Sequence, residues 1–395
     1  MVALLALSGV VGCGTSKSAM QKVQLVIGGG TSEADEGPAS SLRLPKTITA
    51  LTTAPDGTVW LAAQDSSDSA PQILSVSPSG QARRIRLAGD SRNVDSLAIG
   101  ADGVLWAATT DTVIWRLQGQ ALRAAYGTLW RKPGHFPGPF VADGKPLSSA
   151  HLGLISSVAV DSQGRLVFEE TEDSCERIRR LNSDGTVTSL VGGAVRCPDE
   201  RTSTEIQAAR FPDSRTTAAK LPIDIGGSFA LGPDDRVYVY TMQTVLSVDA
   251  TTGKVNRVVG APESISLDFR PKIDNGSKPF GSSKTATELP LLQTTGTADG
   301  KLTSGNLGVA TDGAIALMTT QEQVSVSRAF TWQVTGTQPK IVMAPDVEAT
   351  ASVQVVHDRA ATTASVIRGM LAFRGNDLLE GVSRPGGAVV AAITR

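Results

Sequence analysis

Apolar residues in this chain recur in short runs and nowhere hold the i, i+3, i+4, i+7 spacing of an amphipathic helix. Another pattern repeats: an aliphatic segment, a tight turn carrying Asp and Gly, then a second apolar segment with an aromatic or aliphatic centre. Four copies are clear: ITALTTAPDGTVWLAA (48–63), VDSLAIGADGVLWAAT (94–109), ISSVAVDSQGRLVFEE (155–170) and GSFALGPDDRVYVYT (227–241). GNLGVATDGAIALMT (305–319) and IRGMLAFRGNDLLEGV (367–382) are weaker copies. Asp-Gly joins antiparallel strands well because Gly takes positive φ without a Cβ clash. A second hairpin follows in most copies, as in ILSVSPSGQARRIRL and RIRRLNSDGTVTSLVGG, so the predicted unit is four short antiparallel strands.

An isolated four-stranded sheet cannot bury both faces, whereas sheets stacked around an axis can. Six such units predict an all-β chain folded as a six-bladed β-propeller, which leaves only short, protected sheet edges. The blades fall at approximately 46–90, 91–127, 151–193, 223–260, 304–343 and 350–395, with inserts at 128–150, 194–222 and 261–303. Gly and Pro, at 40 and 20 residues, fit a fold of strands and turns. The last unit runs out of sequence before a fourth strand, so an N-terminal strand is expected to close it. SLRLP and its neighbours (41–47) lead directly into blade one and are preferred for that role over VQLVI (23–27).

Over blade three, SSVAVDSQGRLVFEETEDSCERIRRLNSDGTVTSLVGG resembles an NHL repeat: an A-V-D-x-x-G turn, then R-I-x-R, then D-G-x-hydrophobic and a closing V-x-G. The preceding GPFVADGKPLSSAHL is similar to the loop that joins such repeats. APDGTVWLAA and GADGVLWAATT resemble the D-G-x-hydrophobic-W variant of related propellers. Together the resemblance touches about two thirds of the chain and implies the same propeller fold.

The N-terminus MVALLALSGVVGC is too short an apolar stretch to cross a bilayer of about 30 Å as a helix, but it has the length of a signal-peptide core. Val10-Val11-Gly12-Cys13 resembles the bacterial lipobox, although no Lys or Arg precedes the apolar run. The resemblance implies a signal peptide over 1–12, a diacylglycerol on Cys13 and an extracytoplasmic protein anchored in the bacterial cell membrane. Residues 13–40, rich in Gly, Ser and acidic side chains, read as a flexible tether.

The formal net charge of −1 lacks the cationic excess of a nucleic-acid binder, and no nucleic-acid partner is expected. The arginines at 83, 84 and 86 and at 177, 179 and 180 read as solvent-facing strand positions. Glu169–Asp173, the densest acidic run, reads as a solvated turn where a strand leaves the sheet. The three histidines, His135, His151 and His357, hold no metal-ligand spacing, and no P-loop, nucleophile elbow or dinucleotide fingerprint occurs in a suitable setting. No catalytic, metal or cofactor residue is therefore assigned. Trp60, Trp106, Trp115 and Trp332 fall within strands and suit packing between blades. Trp130, His135, Phe136 and Phe140 share the insert before blade three and form the candidate binding loop, suited to a sugar or a peptide.

Cys175 and Cys197 bracket the outer hairpin of blade three. With Asp184-Gly185 as a two-residue turn, Cys175 faces position 194, and the three residues beyond allow the loop to curl back to disulfide distance. Export to an oxidising compartment would favour that bond, and closing the loop would contribute roughly 3 kcal/mol. The expected molecule is a monomeric, membrane-anchored binding or scaffolding module that engages a protein or cell-envelope glycan at one propeller mouth. The alternative is a metal-dependent hydrolase or lyase of the gluconolactonase or streptogramin lyase kind, marked by Asp, Glu, Asn or His side chains converging at the axis.

Overall fold

A computed structural model describes residues 22–66, 69–87, 93–109, 111–129, 142–147, 151–172, 175–193, 217–221, 223, 228–241, 244–260, 307–323, 326–335, 338–343, 369–375, 377–382 and 387–394. The chain begins with β1 (Lys22–Gly28) and the short β2 (Glu36–Pro38). Blade one is β3 (Thr47–Thr53), β4 (Val59–Gln64), β5 (Gln72–Val76) and β6 (Gln81–Arg86). Blade two is β7 (Ser96–Ile99), β8 (Leu105–Ala108), β9 (Val113–Gln118) and β10 (Ala121–Gly127). Blade three is β11 (Leu154–Val160), β12 (Leu166–Glu172), β13 (Cys175–Leu181) and β14 (Val187–Val191). Blade four is β15 (Ser228–Leu231), β16 (Val237–Thr241), β17 (Thr244–Val248) and β18 (Val255–Val259). Blade five is β19 (Leu307–Val309), β20 (Ile315–Gln323), β21 (Val326–Thr335) and β22 (Gln338–Met343), and blade six adds β23 (Gly369–Arg374), β24 (Asp377–Val382) and β25 (Val389–Thr394).

Among the described residues these strands make six antiparallel sheets, whose neighbours follow sequence order except where β1 pairs with β25 and β2 with β6. The inner strands touch in a closed circuit, β3 to β7, β11, β15, β19, β23 and back to β3. That circuit is the ring of a six-bladed propeller. Apolar clusters fill the seams between blades: Val167 and Ile178 of blade three meet Phe229, Val239 and Leu246 of blade four, while Phe168 and Leu166 meet Ala98 and Ile114 of blade two.

An N-terminal strand does close blade six, but it is not the one expected. β1, which contains VQLVI, pairs with β25 from Lys22↔Thr394 to Gly28↔Val389. Pro45 explains why 41–47 is unsuited: it has no N–H to give a ladder, and here it offers only its carbonyl, to Ala388 N at 2.8 Å. Leu42 and Leu44 are instead buried wedges between the last blade and the first, where Ile27 joins them. Fully burying each contributes about 1.5–3 kcal/mol.

Residues 22–40 therefore do not belong to a flexible tether. β2 adds a fifth strand to blade one, Glu36↔Arg83 to Pro38↔Gln81. The acidic residues of that segment match the arginines of β6: Arg84 to Glu33 at 2.8 Å and Arg86 to Asp35 at 2.9 Å. The segment that looked like spacer is the complement of a basic strand.

The hairpin turns also differ from expectation. Ala54 N donates to Thr58 O and Gly57 N to Ala54 O, so three residues lie between the paired ends, with Gly57 at φ 83°. The same two bonds recur around Gly103, Gly164, Asp235 and Gly313. The Asp before the Gly earns its place by accepting from the next N–H but one, as Asp56 does from Thr58 at 2.8 Å. In blade three the turn is likewise three residues, giving Leu181↔Val187 and Arg179↔Ser189, and a bulge then shifts the register to Ile178↔Val191.

Candidate functional site: the mouth and the charged core of blade three

Strand direction divides the molecule into two ends. The turns joining first to second and third to fourth strands lie on one end, the turn face. The connections between blades join strand ends on the other, the mouth. These connections, 128–153, 192–227, 260–306 and 344–368, are the long ones. Among the described residues the first strand of blade six is β23, from Gly369; the expected start near 350 lies outside them.

Where described, the connections dip along the outer edge of the next blade before entering it. Ala39 N donates to Gly80 O, Leu147 N to Gly185 O and Ala218 N to Gly253 O, each at 2.9 Å. The contacted glycine in each case lies in the outer hairpin turn. GPASSLRLP (37–45) is thus the counterpart of GKPLSSAHL (144–152), and β2 is one copy of the joining loop.

Blade three carries the unusual chemistry. Along β12, LVFEETE, alternate residues face opposite neighbours: Leu166, Phe168 and Glu170 toward blade two, Val167, Glu169 and Thr171 toward blade four. Both Glu169 and Glu170 are buried, at 1% and 0% exposure. The acidic run is therefore not a solvated turn, because the strand continues through Glu172 and its partner β13 starts only at Cys175. Arg179 is buried as well, and so is Arg84, against the expectation of solvent-facing arginines.

Glu170 accepts from Gly153 N at 2.7 Å and from Arg179 Nη1 at 2.8 Å. Arg179 Nη2 donates to Asp143 Oδ1 at 2.9 Å, and Ser189 Oγ donates to the same oxygen at 2.8 Å. One buried guanidinium thus ties the insert before blade three to the body of the blade. On the other face, Glu169 Oε2 accepts from Ser156 Oγ at 2.9 Å, and the Glu176 side chain lies diagonally across the ladder. Burial pushes the Glu169 carboxyl up to about 7, against the opposing hydrogen bonds from Ser156 and Glu176. The strand ends that Glu169 and Glu176 approach are those of the mouth.

The other predicted site residues divide as follows. Cys13, Trp130, His135, Phe136, Phe140 and Cys197 lie outside the described residues, and of Cys175 only the backbone is placed, at the start of β13 opposite Glu172. Trp106 stacks on Tyr126 at 5.9 Å within blade two and lies under Arg116, whereas Trp115 is buried in the blade one to two seam and Trp60 packs against the same core. Asp143, Glu170 and Arg179 were missed; the β12–β13 register, Glu172↔Cys175 to Val167↔Arg180, is what places Glu170 diagonally from Arg179.

The axis bears on the metal-enzyme alternative. The inner strands TITALTT, SLAI, LISSVAV, SFAL, LGV and GMLAFR contain no Asp, Glu, Asn or His. Among the described residues no group of three or more His, Cys, Asp or Glu is placed to hold a metal ion. The described residues do not fit a channel metal.

The fold and mouth define an all-β propeller built from four-stranded blades with long inter-blade connections. No family model matches the chain, and no curated protein does. Several solved structures resemble it. A protein of unknown function from Bacteroides thetaiotaomicron VPI-5482 is 11% identical, over 95% of this chain and 76% of that one, with a TM-score of 0.48. Virginiamycin B lyase from Staphylococcus aureus is 12% identical over 95% and 99% of the two chains (TM-score 0.44). A gluconolactonase from Xanthomonas campestris is 10% identical over 94% and 90% (TM-score 0.47).

Proposed function

We propose that this chain is an exported, lipid-anchored β-propeller that acts as a binding or scaffolding module for a protein or a cell-envelope glycan. The observation that carries the reading is the division of labour between its two ends. Tight turns of two to four residues finish the turn face, while the long inter-blade connections all leave from the mouth. Loops displayed on a rigid scaffold are where propellers meet partners. Arg179 supports the same reading, since it spends a buried charge on fixing the insert that also contains Trp130, His135, Phe136 and Phe140.

The test is a binding screen with the body from residue 22 onward against a glycan array and a detergent extract of cell envelopes. Binding should fall at least tenfold in Trp130→Ala and Phe136→Ala, roughly 1.4 kcal/mol or more, and be unchanged in Gln120→Ala on the turn face. Equal binding by all three variants would remove this insert as the site.

A further inference from the structure

β1 fixes where a membrane anchor must attach. It is the outermost strand of blade six, and its first residue pairs with Thr394 at the end of β25. The start of β25 is at the mouth, where Ala388 N bonds Pro45 O just before the inner strand of blade one. Lys22 and Thr394 are therefore at the turn face. The chain enters the propeller from the end opposite the one its long connections leave.

The distance to the anchor can be bounded. Nine residue steps separate Cys13 from Lys22. As a flexible coil they span about 15–18 Å r.m.s., and fully extended about 30 Å. A seven-residue outer strand such as β10 is about 23 Å long, and that is the height from turn face to mouth. The tether reaches the turn face relaxed, but bringing the mouth to the bilayer requires it to run nearly straight up the side of the blade. Among the described residues the large exposed apolar side chains are Leu25, on the outer wall, and Leu154, at the mouth, so the turn face offers lipid nothing of that kind to bury.

The geometry points to a preferred orientation: the propeller stands over the membrane with its turn face down and its mouth outward. The mouth then takes partners from the aqueous or wall side, not from the lipid surface. This inference rests on lipidation of Cys13 as proposed above. It adds that the tether's short length, acting through β1, decides which end partners can reach.

Blade two supplies a pair of reporters on one strand. Gln120, exposed in the turn before β10, is on the turn face, and Thr128, exposed just past its end, is at the mouth. A fluorescent amino acid would be encoded at position 120 or 128 of the full-length lipidated protein, reconstituted in vesicles carrying acceptor-labelled lipids, with Cys13→Ser as the unanchored control. Energy transfer should be several-fold greater from 120 than from 128, and a twenty-residue Gly-Ser spacer inserted after Ser18 should largely abolish the difference. Wild type that floats with vesicles but transfers equally from both positions, or more from 128, would overturn the orientation alone. Wild type that floats no better than Cys13→Ser would overturn the anchor and the orientation with it.

Discussion

Blades one and three use the same device for opposite purposes. In each, a fully buried arginine reaches out to a carboxylate on the joining segment packed along the blade's edge: Arg84 to Glu33, and Arg179 to Asp143. Arg84 finds its remaining partner in a backbone carbonyl, Arg43 O at 2.6 Å. Arg179 instead meets Glu170, and both ends of that pair are fully buried. Blade three also buries Glu169 on its opposite face, whereas Glu33 is about half exposed. Blade one thus clips down a strap through a charge that water still reaches, while blade three builds an ion pair into its core. A water-screened clip can be lost cheaply; a buried ion without its partner cannot.

The largest effect should follow from separating the buried pair. Glu170→Ala leaves Arg179 with Asp143 alone and Gly153 N without its acceptor, and should cost about 3–5 kcal/mol in urea denaturation. Replacing both partners, Glu170→Leu with Arg179→Met, should cost clearly less than Glu170→Ala, since no charge is then left stranded. If the double variant is the less stable of the two, the pair is itself a strong net contributor and the comparison with blade one fails.

Glu169 should show the reverse sign. Its ordinary value is 4.5 and burial raises it to about 7, so between those values the folded protein holds a proton that the unfolded chain has released. Stability contributed at this position should therefore fall as pH rises from about 4.5 to 7 and stay low above that. Glu169→Gln keeps the shape of the protonated acid, and should stabilise at pH 8 by up to about 3 kcal/mol while flattening the slope. A pH series of unfolding midpoints for the two proteins checks both statements, and parallel curves would sink them.

Glu33 in blade one should respond to acid in the opposite direction. Hydrogen bonds from Arg43 and then Arg84 hold its carboxyl below the usual 4.5. The stabilisation is thus present above the unfolded value and lost as pH falls through the depressed one. Glu33→Ala should cost about 1–2 kcal/mol at neutral pH, mostly from leaving Arg84 one bond short, and hydrogen exchange should rise in β2 and β6 before other strands. Uniform exchange across all blades would show that the strap is not a local clip.

The fold was legible because its signal is local and repeated: a tight turn carrying Asp and Gly between two apolar segments recurs along the chain, although its three-residue length was not legible. The closing strand was misassigned because adjacency in sequence favoured 41–47, and only the missing N–H of Pro45 argued against it. Glu169, Glu170 and Arg179 were hidden for a different reason. Charged residues at consecutive strand positions read as surface, and burial on both faces of a blade depends on neighbours contributed by blades two and four. The joining loop of blade one was readable in GPASSLRLP beside GKPLSSAHL, once the second of these is known to dip along a blade edge.

The smallest effect concerns the turn face, where the two regions also differ. Blade one turns on Gly57, which has no side chain to offer a neighbour. Blade three's turn is bridged from blade four: Asp235, at φ 57° where the other copies have Gly, accepts from Ser162 N at 2.7 Å and from Ser162 Oγ at 2.5 Å. An L-residue in that region is strained by roughly 1–2 kcal/mol, somewhat less for Asp. An exposed hydrogen bond to a charged group returns about the same amount. Asp235→Gly removes the bridge and the strain together, and should change stability by less than about 1 kcal/mol. Asp235→Ala removes the bridge and keeps the strain, and should cost about 1–2 kcal/mol. Thermal unfolding of both variants separates the two contributions. A cost from Gly as large as that from Ala would mean the backbone conformation is free at this position, and that the bridge between blades alone explains why Asp stands where Gly would serve.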